Sequence, residues 1–432
     1  MGISRRRFVA AAGGACLAGC NSAEEPERTE TVTPVDVPRS DGEVLEAVDS
    51  VPVPSIPPAP TVSTAHRRSV VTHVADRIET AEAALAEADD VALADVERLD
   101  DLEGSFDAYR SNLAAYEADP DRRRFRRLAR TVDDVARIIG HVRSATGDLD
   151  ADGIRTAFGA ARDAAVELSD GLEYRLAPPV VDRYPTAAAG EAVLDRTEDV
   201  RLAAQREVAE LAEPTPTEAA AVWRSVESLR LETTNAAGYL ETGLDPAAPS
   251  RTVAIASLAG DHLEALESLA VPRRADGRAI PPRIETALSS ARSRRSELLA
   301  AADPTDPERA RRLELLTEAV RVRGHLEAFD AAAEATFPLL DSDAGVPAEE
   351  LMPEKRAAVE ALDRLAGAAP LPRSLGEIAE PLVTYGDRLK EKQGTNPVAA
   401  TYFMYVAAGA VVDLSIERGE RLAAALDADA GE

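Results

Sequence analysis

The amino-acid sequence predicts an all-α protein, and three observations lead to this fold class. From about residue 64 onwards, apolar residues recur at intervals of three and four, which is the period of an amphipathic α-helix. No stretch alternates apolar and polar residues over the length of a convincing β-strand. Aromatic residues make up only 4% of the chain and alanine is abundant, which suits closely packed helices. We therefore expect long antiparallel helices, in one elongated bundle or in two to three consecutive bundles.

The first segment in chain order, residues 1–19, has the three parts of an export signal. It begins with the arginine run 5–7, continues with an apolar run from Phe8 to Gly19, and ends in small residues. The apolar run is roughly a dozen residues long, against the ~20 that a membrane-spanning helix needs. The segment is therefore expected to be a targeting signal and not a membrane-spanning helix.

Two strings in this segment carry a resemblance to a known class of proteins. Ser4-Arg5-Arg6-x-Phe8-Val9 resembles the twin-arginine signal, and Leu-Ala-Gly-Cys at residues 17–20 resembles a lipobox. Together they resemble the N-terminus of a twin-arginine-exported lipoprotein. The resemblance implies cleavage before Cys20, a lipid on Cys20, and a folded cargo anchored extracytoplasmically at the outer face of the cytoplasmic membrane. It covers about the first 22 residues, and no family motif is found in the rest of the chain.

The charge of the chain restricts its partners. Acidic residues outnumber basic ones by 77 to 49, the net charge is -28, and all basic residues but Lys355, Lys390 and Lys392 are arginines. This composition resembles that of salt-adapted proteins, as in halophilic archaea. A high net charge keeps a surface hydrated and soluble. At molar salt the Debye length is only ~3 Å, so long-range electrostatic capture is weak. Nucleic-acid binding is disfavoured by the sign of the charge.

The next segment, residues 20–62, is expected to be a Pro/Thr/Glu-rich tether that follows the lipidated Cys20. It ends in the proline-rich stretch 51–60, and proline at that density favours an extended spacer. At ~3.1 Å per residue, such a tether could hold the body up to roughly 130 Å from the lipid. With Cys16 removed and Cys20 acylated, no thiol remains for a disulfide, a zinc site or a nucleophile.

Five apolar seams define the predicted helices that follow. In chain order they run over Val71–Leu85, Leu99–Tyr116, Phe125–Val142, Val222–Leu240 and Leu315–Ala333. Their mean spacing of about 3.5 residues predicts left-handed, nearly antiparallel packing. Proline-containing turn signals separate the helices and place boundaries near residues 180 and 303. The expected bundles are residues 63–180, 181–302 and 303–432, and a single continuous bundle is the alternative.

The string Asp148-Leu-Asp150-Ala-Asp152-Gly153 lies between two predicted helices. It matches positions 1, 3, 5 and 6 of a calcium loop, in which alternating carboxylates converge on one cation. The twelfth position is Gly159, where such a loop needs a bidentate Glu. Two interpretations stay open, a Ca²⁺ site or a solvated turn between helices, and no other cofactor is indicated.

The segment from Pro397 to Ile416 carries no charge before Asp413. Asn396 can cap a helix there, and proline suits its first position. About 15 uncharged residues are short for a membrane span, so we expect a central helix buried by its neighbours. The alternative is an aromatic-lined ligand pocket or partner groove. Its lining would be Tyr385, Tyr402 and Tyr405.

A basic cluster, Arg122–Arg127, is predicted near a helix start. Positive charge is mildly unfavourable at that end of a helix. The cluster is either a solvated face that pairs with nearby acids or a contact for lipid phosphates or an acidic partner, weakened by salt.

These observations lead to two main functional hypotheses. The first is a surface interaction or scaffold module with an unknown protein partner and without catalysis. No Gly-rich phosphate loop, His-Glu-x-x-His helix or Gly-x-Ser-x-Gly elbow is found, and the five histidines are scattered. The second is a lipoprotein that captures a ligand or metal for a membrane transporter. A hydrolase or metalloenzyme with an unfamiliar site is a third, less supported by the sequence.

Overall fold

A computed structural model describes residues 48, 50–57, 60, 62–88, 99–270, 280–301, 312–340, 346–389 and 397–428. The predicted all-α fold is confirmed: within these residues there is no strand, only one isolated bridge between Arg175 and Ser250. Residues 1–19 and Cys20 lie outside the described residues, and so do the export-signal positions Arg5, Arg6 and Phe8.

The helices are numbered here in chain order. Those before residue 251 are α1 (Thr64–Glu87), α2 (Leu99–Ala118), α3 (Arg122–Ala145), α4 (Ala151–Asp170), α5 (Val180–Glu210) and α6 (Pro216–Gly243). Those after it are α7 (Thr252–Ser268), α8 (Pro282–Ala301), α9 (Arg312–Leu340), α10 (Leu351–Ala366), α11 (Pro370–Leu375), α12 (Ala379–Leu389) and α13 (Pro397–Ala428). A short 3₁₀ turn, Ala348–Glu350, precedes α10.

Side-chain caps explain where several helices begin. Ser63 accepts a hydrogen bond from the His66 backbone N–H at 3.1 Å and starts α1. Asp121 does the same for Arg124 at 2.7 Å and starts α3. At α6, Thr215 and Glu218 form a reciprocal capping box. Each cap satisfies a backbone donor that the first helical turn leaves without a partner.

The chain forms two compact units. Unit A consists of Pro60–Ala177 and Thr186–Ser250. Unit B contains Arg251–Glu432, the segment Pro178–Pro185 and the described residues before 58. The expected boundary near residue 180 lies close to a change of unit, whereas the one near 303 lies inside unit B. The segment expected as a bundle over residues 181–302 is shared by both units, because α6 packs on the helices that precede it.

The core of unit A is built on α6, which packs most extensively along α3 and also contacts α1 and α4. The predicted seam of α3 is buried as expected. Gly140 allows the close approach of α3 and α6, since a Cβ there would lie 2.8 Å from Trp223 Cβ and 2.9 Å from Ala220 Cα. The seam predicted the packing face, and the glycine sets how closely the two backbones approach.

The core of unit B is built on α13, which packs against α9, α10, α11 and α12. Tyr402–Tyr405 are all buried, as the interpretation of a central helix requires. By length and composition, Val398–Ala428 is the one described helix that could cross a membrane. In its most apolar window, 67% is buried inside the protein, and the core helix of a soluble protein passes the same test.

The end of the expected tether is part of the folded body. Val48 is fully buried in the core of unit B, and Val53 and Ile56 pack against the same core. The Ile56 backbone N–H donates to Glu380 Oε2 at 3.2 Å, and Arg373 Nη1 donates to the Pro57 carbonyl at 3.5 Å. Residues 50–57 of the expected spacer therefore pack on unit B, because Val53 and Ile56, which lie between the prolines, are partly buried against its core.

Candidate functional site

The three aspartates of the expected calcium loop each make a local contact. Asp150 caps α4 by accepting from the Gly153 N–H at 2.7 Å. Asp148 accepts from the Thr146 hydroxyl at 2.7 Å, and Asp152 pairs with Arg155 at 2.6 Å. Within the described ranges, no group of three or more His, Cys, Asp or Glu side chains is placed to hold a metal ion. The geometry agrees with a turn that caps a helix.

The three tyrosines of the expected pocket do not share one cluster. Tyr402 and Tyr405 belong to the apolar cluster around Leu362 and Val412. Tyr385 packs instead against a second cluster. The ring of Tyr405 covers Gly386, where a Cβ would lie 2.9 Å from the ring. Tyr385 on α12 thus packs with a different apolar cluster from Tyr402 and Tyr405 on α13, and the pocket stays a prediction.

A buried ionic contact connects three helices of unit B. Lys355 on α10 is only 1% exposed, and its Nζ donates to Asp387 Oδ1 on α12 at 2.7 Å. The hydroxyl of Tyr405 on α13 donates to the same carboxylate oxygen. Lys355 Nζ also lies 5.9 Å from the centroid of the Tyr405 ring, within cation–π range. Asp387 therefore holds an ammonium and a phenol from two other helices.

Position 355 carries a lysine in a chain whose basic residues are nearly all arginines. The chain has 49 basic residues, and only Lys355, Lys390 and Lys392 are lysines. Lys390 and Lys392 lie outside the described residues, whereas Lys355 is described and buried. The lysine ammonium is compact and can donate to a single carboxylate oxygen beside the tyrosine ring. The guanidinium of an arginine is planar and wider, and its paired donors would need more space there. The composition pointed to Lys355 as unusual, but nothing in the sequence indicated Asp387 or Tyr405 as its partners.

A second ionic cluster lies in unit A between α1 and α6. Glu227 is fully buried, and its Oε1 accepts from Arg77 Nη1 at 3.3 Å and from Arg230 Nη1 at 2.6 Å. The Arg230 guanidinium lies 5.6 Å from the centroid of Trp223. Glu227 Oε2 and Trp223 Nε1 have no hydrogen-bond partner among the residues described. The two arginines compensate the buried carboxylate and hold α1 against α6.

A buried histidine in unit B lies in an environment that opposes its protonation. Burial lowers the pKa of His325 well below its ordinary value of 6.5, and Arg321, Arg294 and Arg418 lower this pKa further. His325 Nε2 has no hydrogen-bond partner within the described part of the chain. The imidazole is therefore held neutral, because both burial and the neighbouring cations disfavour the charged form.

No family model, curated protein or solved structure matches this chain. Its function is therefore inferred from its own residues.

Acidification is expected to destabilise the fold through His325. Because the folded-state pKa lies below 6.5, the unfolded chain takes up the proton first. The stabilising contribution is complete above the unfolded pKa and is lost as pH falls from about 6.5 towards the folded pKa. His325→Gln should therefore lose less stability than the parent between about pH 7.5 and pH 5. Thermal unfolding followed by circular dichroism measures this, and parallel pH profiles would contradict it.

Proposed function

We propose that this protein is a lipid-anchored, extracytoplasmic interaction or scaffold module at the outer face of the cytoplasmic membrane. The twin-arginine string with Arg5, Arg6 and Phe8 and the lipobox that ends at Cys20 support this location. The two helical units form the body that the anchor would present. The partner we propose is another protein of the same membrane surface.

The packing of residues 50–57 on unit B is the observation that carries the proposal. Val48 lies in the core of unit B, Val53 and Ile56 pack against it, and Val48 is 28 positions after Cys20. At ~3.1 Å per residue, that length reaches roughly 90 Å at full extension, and not the roughly 130 Å of a spacer up to residue 62. The proposed anchor would thus hold unit B nearer to the membrane than a spacer up to residue 62 would allow, which suits a module that works close to the membrane.

Removing the lipid attachment point should release the protein from membranes. We expect Cys20→Ser to move the body from the membrane fraction to the soluble fraction, because no other residue would carry a lipid. Cys16→Ser is the matched control, since Cys16 would leave with the signal, and this variant should stay with membranes. Cell fractionation with immunoblotting measures both variants. A Cys20→Ser protein that still sediments with membranes would overturn the anchor.

The interaction role needs a separate experiment. The mature protein is cross-linked on its own membranes at native salt and then purified under denaturing conditions. We expect a stoichiometric protein partner whose cross-links map to unit A or unit B. Recovery of the protein alone, with a small molecule or a metal ion retained on the native protein, would replace this proposal by ligand capture.

A further inference from the structure

The outward face of α3 is a row of arginines. Arg123, Arg126, Arg127 and Arg130 are spaced i, i+3, i+4 and i+7, which places them on one side of a helix. All four are exposed, while the opposite side of α3 is buried in the core of unit A. These four residues are called the arginine face below.

The guanidinium groups of the arginine face are exposed to solvent. None of its four guanidinium groups is hydrogen-bonded or ion-paired within the part of the chain that the structure describes. The neighbouring acids are engaged elsewhere, since Asp119 and Asp121 both pair with Arg124. Residues 117–130 contain six arginines and three acidic residues, whereas the net charge of the whole chain is -28. The four guanidinium groups of the arginine face are therefore exposed and not paired within the described residues.

The arginine face lies at the end of unit A where the chain enters. Ser63 begins α1, and its hydroxyl accepts from the Thr242 hydroxyl in the last turn of α6 at 2.9 Å. In the next turn, Arg67 donates to the Glu117 carbonyl at the end of α2, just before α3 starts. The start of α1 and the first turns of α3 thus share one end of this bundle.

We propose that the arginine face is a docking surface for the anionic headgroups of a membrane. Guanidinium groups bind phosphate oxygens in pairs of parallel hydrogen bonds, which makes a row of free arginines suited to a surface of phosphates. This inference rests on one part of the proposed function, namely that the protein is located at a membrane. It adds a second, reversible contact through unit A to the anchor at Cys20.

Other polyanions fit the surface less well. Four residues on one helix are a small footprint for a nucleic-acid duplex, whose binding usually takes more phosphate contacts. An acidic protein would have to supply several carboxylates at matching positions. A membrane offers phosphates at high density on a plane, which suits a row of four exposed arginines on one side of a helix.

Vesicle binding by the full chain carrying Cys20→Ser tests the proposal without any lipid anchor. The parent is compared with a variant in which the four arginines of the face are replaced by glutamine. Cosedimentation with phosphatidylglycerol vesicles at about 0.1 M salt should show at least a tenfold weaker affinity for the variant. Phosphatidylcholine vesicles should bind neither protein well. The difference should shrink as salt rises towards about 1 M.

A matched control separates position from total charge. It carries four glutamines in place of exposed arginines elsewhere, namely Arg162, Arg206, Arg356 and Arg421. It has the same net charge as the test variant and should bind anionic vesicles like the parent. Equal losses in the two variants, or no loss in either, would overturn the proposal. So would a parent that ignores vesicles and binds soluble polyglutamate instead. Since no protein in this assay carries the lipid, its failure would leave the anchoring experiment with Cys20 and Cys16 unaffected.

Discussion

Replacing Gly238 by alanine should destabilise unit A by about 2 kcal/mol, although alanine normally stabilises a helix. Gly238 lies inside α6 against the ring of His66, and a Cβ there would lie only 2.5 Å from His66 Cγ. His66 is buried, and its Nε2 is bonded to Asn235 Oδ1 at 3.0 Å. The ring cannot move outwards without losing this contact, so the overlap outweighs the gain of about 1 kcal/mol in helix propensity.

A double-mutant cycle makes this prediction specific. In a His66→Ala background the ring is gone, and Gly238→Ala should become neutral or stabilising. Gly159→Ala is the matched control, because Gly159 lies inside α4 of the same unit and a Cβ there would have nothing within 4 Å. It should stabilise unit A by about 0.5–1 kcal/mol. Urea unfolding is followed by the fluorescence of Trp223, the only tryptophan, which reports on unit A. Independent, additive effects of the His66 and Gly238 changes would contradict the contact.

Replacing Asp387 by alanine should destabilise unit B by about 2–3 kcal/mol. The change leaves the ammonium of Lys355, which is 1% exposed, without its carboxylate, and it also removes the acceptor of the Tyr405 hydroxyl. Removing one member of a buried ion pair typically costs about 3–5 kcal/mol. The side chain of Asp387 is 21% exposed, so water screens part of the interaction and the smaller figure applies.

Two further variants distinguish the cost of leaving a buried charge without its partner from the cost of losing a contact alone. Lys355→Met should cost less than Asp387→Ala, because Asp387 keeps the Tyr405 hydroxyl and some solvent. The surface pair of Arg364 and Asp413 is the control, since both side chains are more than half exposed, and Asp413→Ala should cost less than about 1 kcal/mol. Thermal unfolding by circular dichroism measures all three, with Trp223 fluorescence as the reference for unit A. A Lys355→Met protein less stable than Asp387→Ala would refute this explanation.

The positions of the helices could be predicted from the sequence, because the signals that mark a helix are local. The seam from Phe125 to Val142 became the buried face of α3, and Pro397 marks the start of α13. The run Arg122–Arg127 was placed correctly at a helix start. Each of these features depends on residues within one or two turns, where spacing, caps and prolines act directly.

The sites were harder to predict, because side-chain partners and helix rotation decide them and a sequence pattern shows neither. The calcium interpretation of Asp148, Asp150 and Asp152 followed a sequence pattern, whereas Asp150 is used as a helix cap. The three tyrosines of the expected pocket divide between two apolar clusters, because helix rotation decides which cluster a ring enters. Similarly, the packing of Val48 and Ile56 depends on unit B, so a proline-rich composition alone indicated a spacer.

The pattern of apolar residues and turn signals was sufficient to establish an all-α protein with helices in these approximate places, since helical period and capping are local properties of the chain. Three-dimensional packing alone established the division into units A and B, the partners of Lys355 and Glu227, and the docking of residues 50–57. Those outcomes depend on which helix faces meet. That choice is made by the fit of distant surfaces, such as Gly140 against Trp223 or Gly238 against His66, and these contacts have no signature in either segment by itself.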